Sequence, residues 1–262
     1  VSVENLLQDK VVVVSGIGPG LGRSIAVRSA LAGADVVLAA RTESRLTEVA
    51  KEVTGLGRRA VAVRTDIDDA DSAANLVTEA VKAFGRVDAV VHNAFAVPPL
   101  TDLARVEFDA VRAGFETAAI SVLRLTRLFL PALKESQGSL VMINSAVLRH
   151  SRRTFGAYKM AKSALLSLSQ SLASELGPDG VRVNTVAPGY IWGPNLQWYF
   201  AHLAKERGIT PEEVYAETAS TIDLRKLPEP DEIADAVVFL ASPMARAITG
   251  QCLDVNGGEY HH

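Results

Sequence analysis

The stretch that most narrows what this chain can become runs from residue 11 to residue 32. Residues 11–14 are a continuous valine run, the composition of a strand buried on both faces. The run feeds directly into Ser15-Gly-Ile-Gly-Pro-Gly-Leu-Gly22 and then into an amphipathic segment over 23–32. Strand, glycine-rich turn and helix in that order form the setting of a dinucleotide site. Glycines let backbone approach a pyrophosphate, and the helix N-terminus supplies free N–H groups with a partial positive charge. A glycine cluster by itself is often only a loose turn, so its position between this strand and this helix carries the inference.

The rest of the chain repeats the same alternation. Apolar runs predict further strands over 35–40, 60–64, 87–91, 139–144, 181–186 and 251–255. Helical spacing fills 43–53 and 72–84, two segments within 106–134, then 155–176 and 231–241. Strands that alternate with helices predict an α/β fold, a doubly wound parallel sheet with helices on both faces and right-handed crossovers. No repeat, low-complexity linker or composition break divides the sequence, so residues 1–262 read as one domain.

Composition limits the function classes. Hydrophobic residues make up 48% and charged residues 22% of 262, which are globular values with ample material for a core. A formal net charge of −3 gives no electrostatic reason to expect nucleic acid or an anionic membrane as a partner. Cys252 is the only cysteine, which excludes an internal disulfide and fits a reducing compartment. The first ten residues are short and mixed and do not read as a signal peptide, and no apolar run reaches about 18 residues. A cytoplasmic location is the expectation. No His, Cys and carboxylate set has metal-ligand spacing, so no metal is expected.

The chemistry-bearing candidates follow the fifth strand. Ser145 ends that strand, and Tyr158 begins Tyr-Lys-Met-Ala-Lys, which sets Tyr158 and Lys162 at i and i+4. On a helix those positions share one face. A tyrosine ionises near pH ~10 and exchanges protons poorly at neutrality, and a neighbouring ammonium favours the phenolate. The arrangement therefore predicts a Tyr158 pKa brought down by Lys162 towards the range useful in general acid–base catalysis. Taken alone, such a pair is far more often a packed tyrosine beside a solvated lysine. Arg41 is the second readable feature. It is the first residue after the second strand, where a dinucleotide fold reads the adenosine ribose, and no acid occupies that strand end. A basic group there tolerates the 2′-phosphate of NADP, so NADP(H) is favoured and NAD(H) remains possible.

With these pieces in register the sequence resembles the classical short-chain dehydrogenase/reductase family over nearly its whole length. The matching residues are Ser15-Gly16, Gly20 and Gly22, Asp66, His92-Asn93-Ala94, Ser145, Tyr158 with Lys162, Asn184, and Pro188-Gly189. The resemblance implies a Rossmann-like sheet of seven parallel strands in the order 3-2-1-4-5-6-7. It implies an NAD(P)-dependent oxidoreductase acting on a CH–OH group. Ser145 would bond the substrate oxygen, Tyr158 would exchange the proton, and Lys162 would hold the nicotinamide ribose. Ser15, Gly16, Gly20, Leu21 and Gly22 would hold the pyrophosphate. Asp66 and Ile67 would meet adenine, Asn93 and Ala94 would lie along the adenosine–ribose part, and Ile191 beyond Pro188-Gly189 would meet the carboxamide. A homotetramer is implied, with a homodimer as the fallback.

Three departures qualify that picture. Ala118 stands where the family places a relay asparagine, Phe95 replaces the glycine of the Asn-Ala-Gly turn, and Gly193 replaces a common threonine. They leave open a second class of function, a cofactor-binding sensor or scaffold that kept the fold and lost turnover. The segment 190–227, where the family carries its substrate lid, contains Tyr190, Trp192, Trp198, Tyr199 and Phe200. With only 6% aromatic residues overall, that concentration suggests a lid over a bulky, largely apolar alcohol or ketone, with Phe95, Trp192 and Trp198 as substrate contacts.

Overall fold

A computed structural model describes residues 5–96 and 100–261. Seven strands form one parallel sheet in the order β3-β2-β1-β4-β5-β6-β7. They are β1 (Val11–Ser15), β2 (Asp35–Ala40), β3 (Ala60–Arg64), β4 (Ala89–His92), β5 (Ser139–Ile143), β6 (Arg182–Pro188) and β7 (Cys252–Val255). The continuous apolar runs are explained by their two-sided burial. Val12, Val14, Val36, Leu38, Val91 and Val141 face one core. Val11, Val13, Val37, Val90, Leu140 and Met142 face the other, because successive side chains alternate across a sheet.

Helices cover both faces. α1 (Leu21–Leu31) and α9 (Pro230–Ala241) pack on the first, together with α2 (Glu43–Gly55). α3 (Ala70–Phe84), α5 (Ser121–Ser136) and α6 (Gly156–Leu176) pack on the second. α4 (Phe108–Phe115) leads into α5 through a single wide π turn, Glu116–Ile120, which holds Ala118. Among the described residues no helix is long and apolar enough to cross a membrane.

Two boundaries differ from the sequence expectation for local reasons. β4 starts at Ala89 rather than 87 because Asp88 turns its carboxylate back to the start of β1, accepting from the Val11 N–H at 3.0 Å and the Lys10 ammonium at 3.1 Å. α3 starts at Ala70 because Asp69 caps it, its Oδ1 accepting from the Ser72 N–H at 2.7 Å. The segment 190–227 contains two further helices, α7 (Pro194–Arg207) and α8 (Pro211–Ser220), with a small core of their own built on Phe200, Ile222 and Leu227.

The strand order reverses between β1 and β4, whose ends meet at Ser15 and His92. Open parallel sheets bind ligands in the crevice beyond the strand C-termini at such a switch point. The fold thus directs attention to the loops after β1, β4, β5 and β6.

Candidate active site

A cleft of about 630 Å³ opens at that switch point. One wall is the glycine loop. Gly16 has φ +97°, and a Cβ there would lie 2.4 Å from the Ala94 nitrogen. A Cβ on Gly22 would lie 2.2 Å from the Gly16 carbonyl oxygen, which also accepts from Asn93 Nδ2 at 2.7 Å. Loop and β4 terminus are therefore clasped backbone to backbone, with no room for a side chain. Gly20, by contrast, faces open space. The first turn of α1 carries no acidic residue and no side-chain cap; the Arg23 N–H is taken by the Gly18 carbonyl at 3.2 Å, and the Leu21 and Gly22 N–H groups have no hydrogen-bond partner among the described residues. The Ser15 Oγ at the cleft floor is buried and has no hydrogen-bond partner among the described residues. A bare cradle, a free helix N-terminus and an orphaned hydroxyl are together the fit a pyrophosphate requires.

Asp66 and Ile67 line one end of the cleft with Arg41, and Pro188, Gly189 and Ile191 line its other side. Sequence reasoning missed Arg45, which also lines the Arg41 end. It lies four residues after Arg41 in the first turn of α2, a spacing that was readable. Thr117 in the π turn was missed as well; it lines the cleft and donates its hydroxyl to Asp68 Oδ2 at 2.8 Å.

Ser145, Tyr158 and Lys162 meet at the far end. β5 delivers Ser145, whose Oγ accepts from the Val147 N–H at 3.2 Å and whose hydroxyl donates to the Tyr158 oxygen. α6 carries Tyr158 and Lys162 on one face, with the Lys162 ammonium 5.9 Å from the centre of the Tyr158 ring. The ammonium is buried and donates to the Ile143 carbonyl at 2.8 Å, while Asn144 Nδ2 donates to the Lys162 carbonyl at 3.0 Å. Burial pushes the Lys162 ammonium down to about 8. The expected lowering of the Tyr158 phenol is overturned: burial holds it above its ordinary value, and the Ser145 hydrogen bond offsets only part of that. Desolvation of the phenolate outweighs the stabilisation it receives.

Behind this pair a small second cavity is lined by His92, Ala118, Ala161 and Leu165. His92 is fully buried, its pKa pushed down to about 4, with Nε2 at 3.0 Å from Thr126 Oγ1. Ala118 therefore sits close behind the tyrosine and lysine, as the sequence register implied.

The aromatic expectations divide. Phe95 lines the cleft, its ring centre 5.9 Å from the Lys162 ammonium. Trp192 does not reach the wall; it packs on Tyr215 and Phe200, with ring centres 4.7 and 5.5 Å away, because α7 and α8 need a core between them. Trp198 also misses the cleft. It is 71% exposed and stacks on His202 along the helix. Pro194, Asn195, Leu196 and Tyr199 are the α7 residues that line the cleft.

Comparison with known proteins agrees with this geometry. A family profile described as enoyl-(acyl carrier protein) reductase matches residues 16–260. An uncharacterized oxidoreductase of Mycobacterium tuberculosis is 38% identical over 253 residues, covering 96% of this chain and 92% of the relative. The chain is a short-chain dehydrogenase/reductase. As a member of that family it is an NAD(P)-dependent oxidoreductase acting on CH–OH donors. Two solved structures extend the likeness. L-sorbose reductase from Gluconobacter frateurii, complexed with NADPH and L-sorbose, superposes with a TM-score of 0.92 at 26% identity, over 99% of this chain and 98% of that one. A 7α-hydroxysteroid dehydrogenase, complexed with NADH and 7-oxo glycochenodeoxycholic acid, gives a TM-score of 0.87 at 31% identity, over 97% of this chain and 96% of that one. The dehydrogenase sheet order matches the expectation from sequence strand for strand.

Proposed function

We propose that this dehydrogenase/reductase interconverts a bulky, largely apolar secondary alcohol and its ketone, with NADP(H) as the favoured cofactor and Tyr158 as the proton-exchanging group. The observation that carries the reading is the Tyr158 hydroxyl, hydrogen-bonded to Ser145 one helical turn from a buried lysine, at the end of a cleft that begins in a bare glycine cradle. The nicotinamide, when bound, supplies or accepts the hydride. The chain's own residues handle the oxygen. Ser145 donates to the carbonyl oxygen and orients it, and Tyr158 donates the proton that makes it a hydroxyl. A phenol held above its ordinary value is a proton donor at neutral pH. Ketone reduction is then the direction for which the resting protonation state is ready.

Arg41 and Arg45 at the β2 end support NADP(H), since both line that corner and neither the end of β2 nor the turn into α2 places a carboxylate there; Asp66 and Asp68 lie on the facing loop. The apolar preference rests on Phe95, Ile191, Leu196 and Tyr199 in the wall. The steroid-active relative agrees with an apolar mouth, and the sorbose-active one shows that the scaffold also serves a polar substrate. Turnover of alicyclic and steroid ketones with NADPH, abolished in Tyr158→Phe while NADPH affinity stays within about twofold, is the expected result; general acid–base groups contribute about 10²–10⁴-fold. Tight NADPH binding without turnover of any ketone would favour a sensor instead, and Ala118 would then be the first residue to revert.

A further inference from the structure

We infer that Glu259 is a positioning residue for the cofactor side of the site, holding the Gly189–Tyr190 turn in place; this rests on the nicotinamide-dependent reading above. Its side chain is only 6% exposed. The carboxylate accepts from the Tyr190 backbone N–H, is hydrogen-bonded by the Tyr260 side chain, and lies 3.5 Å from the Arg152 guanidinium. It also packs against cleft-lining Gly189, where a Cβ would lie 2.4 Å from Glu259 Oε2. A side chain at 189 would displace the Glu259 carboxylate from this position.

The loop before α6 and the turn after β6 meet at this one group. Arg152 belongs to the loop between Ser145 and Tyr158, and it donates from Nη1 to the Tyr190 hydroxyl at 3.1 Å and from Nη2 to the Tyr260 hydroxyl. Tyr190 is thus held at its backbone by Glu259 and at its hydroxyl by Arg152, while its ring meets Phe200 of α7 edge-on at 6.4 Å. The tail carrying Glu259 is pinned in turn. Gly257 takes φ +67° and Gly258 φ +84°, the Leu224 N–H donates to the Gly257 carbonyl at 3.0 Å, and Asn256 Nδ2 donates to the Tyr260 carbonyl at 3.0 Å.

A tail that only had to be anchored would do so better with an apolar side chain, because a buried carboxylate is costly unless each of its hydrogen bonds is made. Here one bond runs to the backbone of the turn immediately before Ile191 and another comes from Tyr260, while the Arg152 ion pair reaches the loop between Ser145 and Tyr158. The charge orients; it does not merely pack.

The test measures NADPH and NADH dissociation constants by nucleotide fluorescence, with full-length parent, Glu259→Ala and Glu259→Gln, alongside far-UV circular dichroism. Glu259→Ala is expected to weaken NADPH about tenfold, the scale of one charge-assisted hydrogen bond. Glu259→Gln should recover most of that, since an amide oxygen still accepts from the Tyr190 N–H. Arg152→Met, which leaves the turn bond but removes the guanidinium, should fall between the two and carries the test should Glu259→Ala fail to fold. Affinities of folded Glu259→Ala or Arg152→Met equal to the parent's, or Glu259→Gln as weak as Glu259→Ala, would overturn the inference. A parent that binds neither nucleotide would instead overturn the reading on which it rests.

Discussion

Replacing Lys162 by methionine should remove activity and, at neutral pH, lift an electrostatic load from the fold. The ammonium is buried, and its drop from 10.5 to about 8 amounts to about 3 kcal/mol of disfavoured charge. Methionine keeps the length of the stem without the charge. Against that gain, the Ile143 carbonyl loses its donor at 2.8 Å, a loss of about 1–3 kcal/mol for a buried acceptor. At pH 7 the two nearly cancel, and Lys162→Met should unfold in urea within about 1 kcal/mol of the parent or slightly above it. The pH dependence separates them. Below the folded value of about 8 the lysine is charged in both states and the parent carries the full penalty. Between about 8 and 10.5 the unfolded chain binds the extra proton, so parent stability rises with pH, and above that range the penalty is gone. The methionine variant lacks this gain. From pH 7 to pH 9.5 its stability relative to the parent should therefore fall by about 2 kcal/mol. Urea titrations of both proteins at the two pH values decide it. A difference that does not move with pH would refute the assignment of a strongly depressed, buried lysine.

Three further outcomes are expected. Because the Tyr158 phenol lies above its ordinary value, alcohol oxidation needs a phenolate that is scarce at neutrality, so its rate should climb with pH into the alkaline range while ketone reduction does not; initial rates in the two directions test this. Arg41→Ala and Arg45→Ala should each weaken NADPH by about tenfold and leave NADH within about twofold, read by titration, because each removes one charge-assisted contact to a 2′-phosphate. Phe108, Ile120 and Met160, large apolar residues on α4, the π turn and α6, are 77%, 49% and 44% exposed, a face that suits burial against another subunit. Light scattering should give a homotetramer or, failing that, a homodimer; a monomer would count against a buried helical face.

Much of this enzyme was decided along the chain. Two-sided burial forces β-branched runs, glycine is required where backbone meets backbone at Gly16 and Gly22, and i,i+4 spacing puts Tyr158 and Lys162 on one face whatever surrounds them. Such features depend on neighbours within a few residues, so strands, cradle and pair were legible before any coordinates, whereas the strand order came only through the family resemblance. What depended on distant partners was not. The pKa of Tyr158 is set by how deeply the phenol is buried, a property of the whole packed cleft, and its direction came out opposite to the local expectation. Trp192, Trp198 and Tyr199 share one short segment, yet only Tyr199 faces the cleft, because the packing of α7 against α8 claims Trp192 and leaves Trp198 outside. Glu259 carries no motif at all. It meets Gly189 and Arg152 across 70 and 107 positions of sequence, and only the closed fold brings a carboxylate from one end of the chain to the turn that walls its active site.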